Sequence, residues 1–329
     1  MRVRYLAVVV VAALLGSVAC DRAAKLGSGG ERSTAAAGGS ALAEARTLLE
    51  QGQLEAALAK LQDAPGGPDR DYTEGAVWAK KAETAPLPTP PAPSLPRGAE
   101  PLRAARFKPE ELKALDFFEK AVAARPDHPQ ANLAIAELLA PYAMRQFDVA
   151  EGSRRAVRGK RGSRSAPVPA TRVAGEPDFS PERVVNAYRM AAVGDAAAKA
   201  PVEALISFAG RVGRMQDVDS ALQEMVKRDR ESAEPLVRYG DFLLSQKQDA
   251  TGAVTQYRQA LIWRADDDAT RAKIADIYIS MGARSYANQQ YAVAETQFLE
   301  AQKYVTDKSS PQGQKVQEHL SRLGAIRRH

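Results

Sequence analysis

The sequence has few of the cysteine and histidine side chains that most often bind transition metals or act in nucleophilic catalysis. The sequence contains one cysteine, Cys20, and three histidines, His128, His319 and His329. No histidine has a second histidine or a carboxylate at metal-ligand spacing, so we predict no metal site. A single cysteine cannot form an intrachain disulfide, and an unmodified thiol is a liability in an oxidising compartment.

The sequence motifs of common enzyme classes are also absent. Gly159 and Lys160 invite comparison with a phosphate-binding loop, but the glycine spacing is wrong and Arg161 stands where serine or threonine would hold magnesium. The sequence has no GxSxG elbow, no HExxH helix and no GxGxxG turn. Paired carboxylates such as Glu110 and Glu111 lie at predicted helix starts, where the helix dipole favours negative charge. We therefore predict no cofactor and no catalytic activity.

The chemistry of Cys20 follows from the segment that precedes it, MRVRYLAVVVVAALLGSVAC. Arg2 and Arg4 stand before a short apolar run, which is the layout of an export signal and is too short to span a bilayer. The residues from Ser17 to Cys20 resemble the lipobox of bacterial lipoproteins, although Ser17 stands where leucine is usual. The resemblance implies a signal peptide over residues 1–20 and an acylated Cys20 at a membrane surface. A simple secretory signal and an incidental thiol are the alternatives.

The surroundings of Cys20 suggest a compartment and a class of partner. Asp21 resembles the signal that retains enterobacterial lipoproteins in the inner membrane, while the outer membrane stays open because sorting rules differ between bacteria. Loss of Arg2 and Arg4 with the signal lowers the formal charge from +6 to +4. For an exported chain with this mild excess we expect no nucleic-acid partner. The predicted location is the bacterial cell envelope, with the chain facing the periplasm.

Two segments of unusual composition interrupt the rest of the chain. Residues 85–108 contain six prolines between Ala85 and Pro96, which predicts an extended linker that separates an N-terminal helical piece, residues 41–84, from the later helices. A stiff spacer and a ligand for a proline-reading domain both fit this composition. Residues 151–180 form a predicted disordered basic insertion, with the cations Arg154, Arg155, Arg158, Lys160, Arg161, Arg164 and Arg172. These cations could be solvated, or could contact anionic lipid or an acidic partner.

Outside these segments the apolar residues follow a helical period, which predicts an all-α protein. Residues 21–40 are rich in Gly, Ser and Ala and predict a flexible tether. From Ala41 onward, a small residue is repeatedly followed by an apolar residue four later and a small residue seven later. The examples are Ala57, Leu61 and Ala64; Ala114, Phe118 and Ala121; Ala187, Ala191 and Gly194; Ala221, Met225 and, exceptionally, Arg228; Ala253, Tyr257 and Ala260; Ala294, Phe298 and Ala301.

These spacings place each triplet on one face of a helix, where the small residues let a second helix approach closely. The expected partners in the preceding helices are the small residues Ala45, Ala209, Gly240 and Gly282. The pattern therefore predicts interlocking helical hairpins.

This arrangement resembles the tetratricopeptide repeat family, whose unit of about 34 residues is a helix-turn-helix with small residues at fixed positions. The best match is YISMGARSYANQQYAVAETQFLEAQ, and the 34 residues from Ala187 to Ala221 have the family's period. Irregular spacing elsewhere predicts an irregular, repeat-like helical-hairpin solenoid with disordered linkers. Its parts are repeat-like helices over 109–150, a main array over 181–307 and a capping helix over 308–329, which begins at Ser310 and Pro311.

The resemblance implies a concave face, lined by the first helix of each hairpin, that binds peptides or a partner's helix. Counted from the small residues, this predicted face comprises Glu203, Ile206, Arg214, Glu234, Val237, Asp241, Asp276, Ile279 and Tyr286. Four carboxylates against one arginine make the face mildly acidic, which favours a neutral or basic peptide of an envelope protein.

The sequence thus predicts a membrane-anchored adaptor in an envelope machine for assembly, secretion or export. Self-association is a structural variant of this prediction. The alternative is a platform or activator for an envelope enzyme, for instance one of peptidoglycan metabolism. Since repeat scaffolds share a fold while their partners vary, neither the partner nor the process follows from the sequence.

Overall fold

Each part of the chain that the structure describes contains α-helices, as the helical period of the sequence predicts. The structure is a computed structural model that describes residues 32–86, 107–159, 177–195 and 198–327. These ranges contain thirteen helices and no strand. The all-α fold class predicted from the sequence is confirmed.

The helices divide between two units. Unit 1 contains α1 (Arg32–Glu50), α2 (Leu54–Gln62), α3 (Pro68–Thr84), α4 (Pro109–Ala124) and the part of α5 (Pro129–Gly159) that ends at Leu138. Unit 2 contains α5 from Leu139 to Arg155 and then α6 (Pro181–Gly194), α7 (Ala200–Val212), α8 (Met215–Arg228), α9 (Ala233–Ser245), α10 (Ala250–Trp263), α11 (Asp268–Ala287), α12 (Tyr291–Gln302) and α13 (Pro311–Ile326).

The core of unit 1 begins with the small residues that the sequence pattern paired. Ala45 on α1 and Ala57 on α2 are both 0% exposed, and they belong to one apolar cluster with Leu61 and Val77. Val77 lies on α3, so the first hairpin packs directly against the third helix. The predicted hairpin of α1 and α2 is confirmed.

The pairing of α3 with α4 corrects one prediction from the sequence. The Pro-rich residues 85–108 were expected to separate residues 41–84 from the later helices, yet α3 and α4 pack against each other. A Cβ added at Gly75 would lie 2.6 Å from the ring of Phe118, which shows how closely the two helices approach. Phe107, inside the predicted linker, is buried, and Lys108 Nζ donates a hydrogen bond to the Ala82 carbonyl at 2.5 Å. The prediction missed this hairpin because its two helices are far apart in sequence.

In unit 2, three hairpins follow one another: α7 with α8, α9 with α10, and α11 with α12. In the second and third hairpins, a glycine on the first helix faces a ring on the second helix. A Cβ added at Gly240 would lie 2.5 Å from the ring of Tyr257, and one added at Gly282 would lie 2.8 Å from the ring of Phe298. In the first hairpin Ala209 and Ala221 are both 0% exposed. The interlock predicted from the triplets is therefore seen directly in the second and third hairpins, and its two predicted residues are buried in the first.

The last helix, α13, packs on the third hairpin of unit 2. Ser310 is its N-cap and accepts a hydrogen bond from the Gly313 N–H at 3.1 Å, with Pro311 in the first turn. Val316 and Leu323 are buried against the cluster around Phe298. The opposite side of α13 is polar and exposed, which suits the end of a repeat array.

Two predicted boundaries differ from the structure. α1 begins at Arg32, so residues 32–40 are helical rather than part of a flexible tether, because the alanines there have the highest helix propensity. α5 is one helix through Pro141 to Gly159, whereas the sequence predicted disorder from residue 151. A single proline removes one backbone hydrogen bond, and the strong helix formers around it continue the helix.

Several predictions fall on residues outside the described ranges. They concern Cys20 and Asp21 with the signal peptide, residues 87–106 of the linker and residues 160–176 of the basic segment. The backbone of Arg154, Arg155 and Arg158 belongs to α5, but their side chains lie outside the description. Among the described helices, none has the length and apolarity needed to cross a membrane. The described side chains form no acidic, histidine or cysteine cluster suited to a metal ion.

Candidate protein-binding face

The nine residues predicted to bind a peptide fall on the first helices of the three hairpins of unit 2, or in the turn after one of them. Glu203 and Ile206 lie on α7, and Arg214 lies in the turn before α8. The other six are Glu234, Val237 and Asp241 on α9, and Asp276, Ile279 and Tyr286 on α11. We call this set the predicted face.

The apolar side chains of the predicted face that pack against the core are only partly buried. Val237 is half-buried against the clusters around Tyr257 and Ala260. Ile279 and Tyr286 are half-buried against the cluster around Phe298. Each of these side chains thus supports the hairpins and keeps part of its surface exposed.

Three of the four carboxylates on the predicted face have a cationic partner. Glu203 Oε1 is 3.1 Å from Lys199 Nζ, and Glu234 Oε1 accepts a hydrogen bond from Arg264 Nη2 at 2.6 Å. The hydrogen bond from Arg264 lowers the pKa of Glu234. Such exposed pairs contribute little to stability, about 0–1 kcal/mol each, but they neutralise part of the charge of this surface.

Asp241 is the most strongly held of the four carboxylates. Its Oδ1 accepts hydrogen bonds from Tyr257 OH and from Lys273 Nζ, both at 2.6 Å. Burial, together with the bond to Asp241, raises the pKa of Tyr257, which therefore stays a hydrogen-bond donor at any ordinary pH. Asp241 thus connects the two helices of its own hairpin to α11.

Arg214 is also engaged within the array. Its Nη1 donates to Glu182 Oε1 on α6 at 2.6 Å, and its Nε donates to Asp217 Oδ2 at 2.7 Å. Asp276 differs from the other carboxylates: it is exposed, and among the described residues no cation lies within ion-pair distance of it. The predicted face is therefore largely charge-paired, with one open carboxylate, rather than mildly acidic throughout.

Sequence reasoning missed two residues of this surface. Leu244 on α9 is 37% exposed and lies four residues after Gly240, as Tyr286 lies four residues after Gly282. The same register count that identified Tyr286 would have found it. Lys273 lies outside that register, and only the fold reveals that it reaches Asp241.

A second exposed apolar patch lies at the end of α10. Ile262 is 75% exposed and Trp263 is 51% exposed. Both follow Ala260, the last small residue of their triplet, and so lie beyond the packed face of the helix. Counting positions from the small residues does not identify this patch, because it belongs to a second helix.

The close helix approach at Gly75, Gly240 and Gly282 gives the described helices the interlocked hairpin packing that the sequence pattern predicts. No protein-family model and no curated protein matches the sequence.

Similar solved structures include a thermophilic tetratricopeptide-repeat protein of Thermus thermophilus, at 15% identity and a TM-score of 0.33 over 73% of this chain and 98% of that one. PilF of Pseudomonas aeruginosa is 12% identical, with a TM-score of 0.32 over 87% of this chain and 98% of that one. A tetratricopeptide-repeat protein of Parabacteroides merdae is 9% identical, with a TM-score of 0.32 over 88% of this chain and 99% of that one.

Proposed function

We propose that this protein is a membrane-anchored scaffold of the bacterial cell envelope that binds a peptide segment of another protein on the predicted face. The observation that carries the proposal is that three successive first helices each keep a side chain at least partly exposed on or beside the predicted face. Ile206 is half-buried, Leu244 is 37% exposed, and Asp276 is exposed without a cationic partner among the described residues. A ligand of apolar residues with one basic side chain would complement these side chains.

The anchoring part of the proposal rests on the sequence. In this proposal, acylated Cys20 holds the chain at a membrane surface facing the periplasm, and Asp21 favours the inner membrane. The basic residues between Arg154 and Arg172 would add attraction to anionic lipid headgroups, each contributing about 1 kcal/mol near a charged leaflet. The helical hairpins would then be available to envelope proteins.

The test uses two substitutions that avoid the residues needed for packing. Asp241 is unsuitable because it holds Tyr257 and Lys273, so we choose Asp276→Lys combined with Leu244→Glu. The matched control is Glu231→Lys, which makes the same charge change as Asp276→Lys at an exposed position between α8 and α9. Circular dichroism must first show that all forms melt at similar temperatures.

The full-length chain and both variants are crosslinked in cell envelopes, affinity-purified and compared by quantitative mass spectrometry. We expect one envelope complex to be recovered with wild type and with Glu231→Lys, and at least fivefold less of it with the double variant. Equal recovery from all three would contradict the proposal and shift attention to the patch of Ile262 and Trp263. If the captured protein is a peptidoglycan enzyme whose activity rises on binding, the scaffold is an activator.

A further inference from the structure

Among the described residues of unit 1, the most completely buried ionisable side chain lies at the turn between α4 and α5. His128 is 0% exposed and directly precedes Pro129, the first residue of α5. Its position makes it the N-cap of that helix, where side chains satisfy the free backbone N–H groups. The role described above for the predicted face makes no use of this histidine.

One ring nitrogen of His128 performs the capping. Nδ1 accepts a hydrogen bond from the Ala131 N–H at 3.2 Å, three residues further along the chain. An accepting Nδ1 carries no proton, so the neutral ring has its proton on Nε2. Asn132 reinforces the turn, since its Nδ2 donates to the backbone carbonyls of Pro126 and His128 at 2.9 Å.

The other ring nitrogen faces α3. Nε2 lies 3.5 Å from Asp69 Oδ1, at the outer limit of a hydrogen bond, and has no closer acceptor among the described residues. The charge of Asp69 is shared, because Arg46 Nη2 of α1 is 3.5 Å away and Arg125 Nη2 is 3.8 Å away. On the same side, the ring of Tyr72 lies 5.4 Å from the imidazole.

These surroundings oppose a positive charge on the ring. Burial and the nearby Arg125 guanidinium lower the pKa of His128, and Asp69 only partly offsets them. A second proton must also go to Nδ1, where it would meet the Ala131 N–H at the positive end of a helix dipole. The charged ring would therefore lose the cap that positions it. Tyr72 is half-buried, and burial raises its pKa, so it stays neutral below pH 8.

From this geometry we infer that His128 makes unit 1 sensitive to acid. Protonation of its ring releases the start of α5 from α3. Because the folded-state pKa lies below the value of the unfolded chain, about 6.5, the unfolded chain binds more protons as the pH falls. The stability that the neutral ring contributes is thus present above pH 6.5. It is lost as the pH falls through the folded pKa.

The test uses tryptophan fluorescence to report unfolding, and the sequence has two tryptophans. Trp263 lies in unit 2, so Trp263→Phe leaves Trp78 of α3 as the reporter of unit 1, with Lys113 Nζ of α4 4.2 Å from the centre of its ring. In this full-length background, urea unfolding is followed by Trp78 fluorescence at pH 7.5 and at pH 5.0. His128→Asn keeps a good N-cap but cannot titrate in this range.

We expect acidification to lower the folded-to-unfolded ratio at least fivefold more in the parent than in His128→Asn. The matched control, His319→Asn on α13, should respond as the parent does. Asp69→Asn removes the carboxylate 3.5 Å from Nε2 and should enlarge the acid response, which provides a readout if His128→Asn folds poorly. Equal acid responses of the parent and His128→Asn, or a reduced response of Asp69→Asn, would overturn the inference.

Discussion

At the scale of single residues, the hairpins depend on positions where no Cβ fits. Gly240 faces Tyr257, which is fully buried and held by its hydrogen bond to Asp241, so the ring cannot move aside. Gly282 against Phe298 and Gly75 against Phe118 are built in the same way. Packing therefore requires glycine at these sites, where helix propensity alone would favour alanine.

We therefore predict opposite effects of the same substitution at two helical glycines of unit 2. Gly240→Ala would place a methyl group 2.5 Å from Tyr257, and overpacking of this kind costs about 1–3 kcal/mol, more than the gain of about 1 kcal/mol in helix propensity. Gly324→Ala, with nothing within 4 Å of its Cβ position, should instead stabilise. Thermal unfolding of the two variants measures this difference, and a Gly240→Ala protein as stable as wild type would contradict the close packing.

The residue pattern predicted most of these contacts but not their charges. Small and large residues at spacings of four and seven identified Tyr257 and Phe298, because packing at short range depends on residue size alone. The pairing of Asp241 with Lys273 depends on where α11 begins relative to α9, which no local pattern contains. For this reason the face appeared acidic in the sequence and charge-paired in the structure.

At the scale of whole helices, the starts of the helices were easier to predict than the partners. Ser310 and Ser180 cap α13 and α6, each followed by proline, and the pair Ser310 and Pro311 was recognised in the sequence. The partner of α4 was missed because the Pro-rich residues separate α4 in sequence from α3, which is the first helix of the same hairpin. A hairpin connection of ordinary length is only a few residues, so the repeat period gave no signal here.

The start of α11 offers a test of helix capping on a helix that carries part of the predicted face. Asp267 accepts hydrogen bonds from the Thr270 N–H at 3.0 Å and from Thr270 Oγ1 at 2.8 Å. Although burial alone would raise it, the pKa of Asp267 is lowered by these bonds and by Arg264. Its contribution to stability is thus present above the ordinary aspartate value of 3.8 and is lost as the pH falls through the lowered pKa.

We expect Asp267→Ala to destabilise unit 2 by about 1 kcal/mol at neutral pH, because one cap is lost. Asp267→Asn should retain most of that stability and lose its acid dependence, since the amide oxygen still accepts a hydrogen bond. Asp266→Ala, at the exposed neighbouring position, is the matched control and should have little effect. Urea unfolding followed by Trp263 fluorescence in a Trp78→Phe background measures all three, and equal losses at positions 266 and 267 would refute the capping role.

At the scale of the whole molecule, the fold and the proposed location are inferred from different parts of the sequence. The hairpins follow from a pattern repeated along the chain, which is why their class could be predicted from the sequence. The proposed location rests on one cysteine and on the resemblance of the segment before it to a signal, and both lie outside the described residues. The formal charge of +6 falls to +4 without the signal, so attraction to an anionic membrane would be modest without a lipid.

The anchor can be tested directly by Cys20→Ala in the full-length chain. Wild type should incorporate labelled fatty acid and sediment with membranes, because several acyl chains at about 0.8 kcal/mol per buried methylene hold a protein firmly. Cys20→Ala should incorporate no label and appear in the soluble fraction or stay unprocessed, while Ser17→Leu, which improves the lipobox match, should label at least as well as wild type. A wild-type chain that is soluble, unlabelled and carries a maleimide-reactive thiol would instead establish a simple secretory signal, and the scaffold would then act without a membrane anchor.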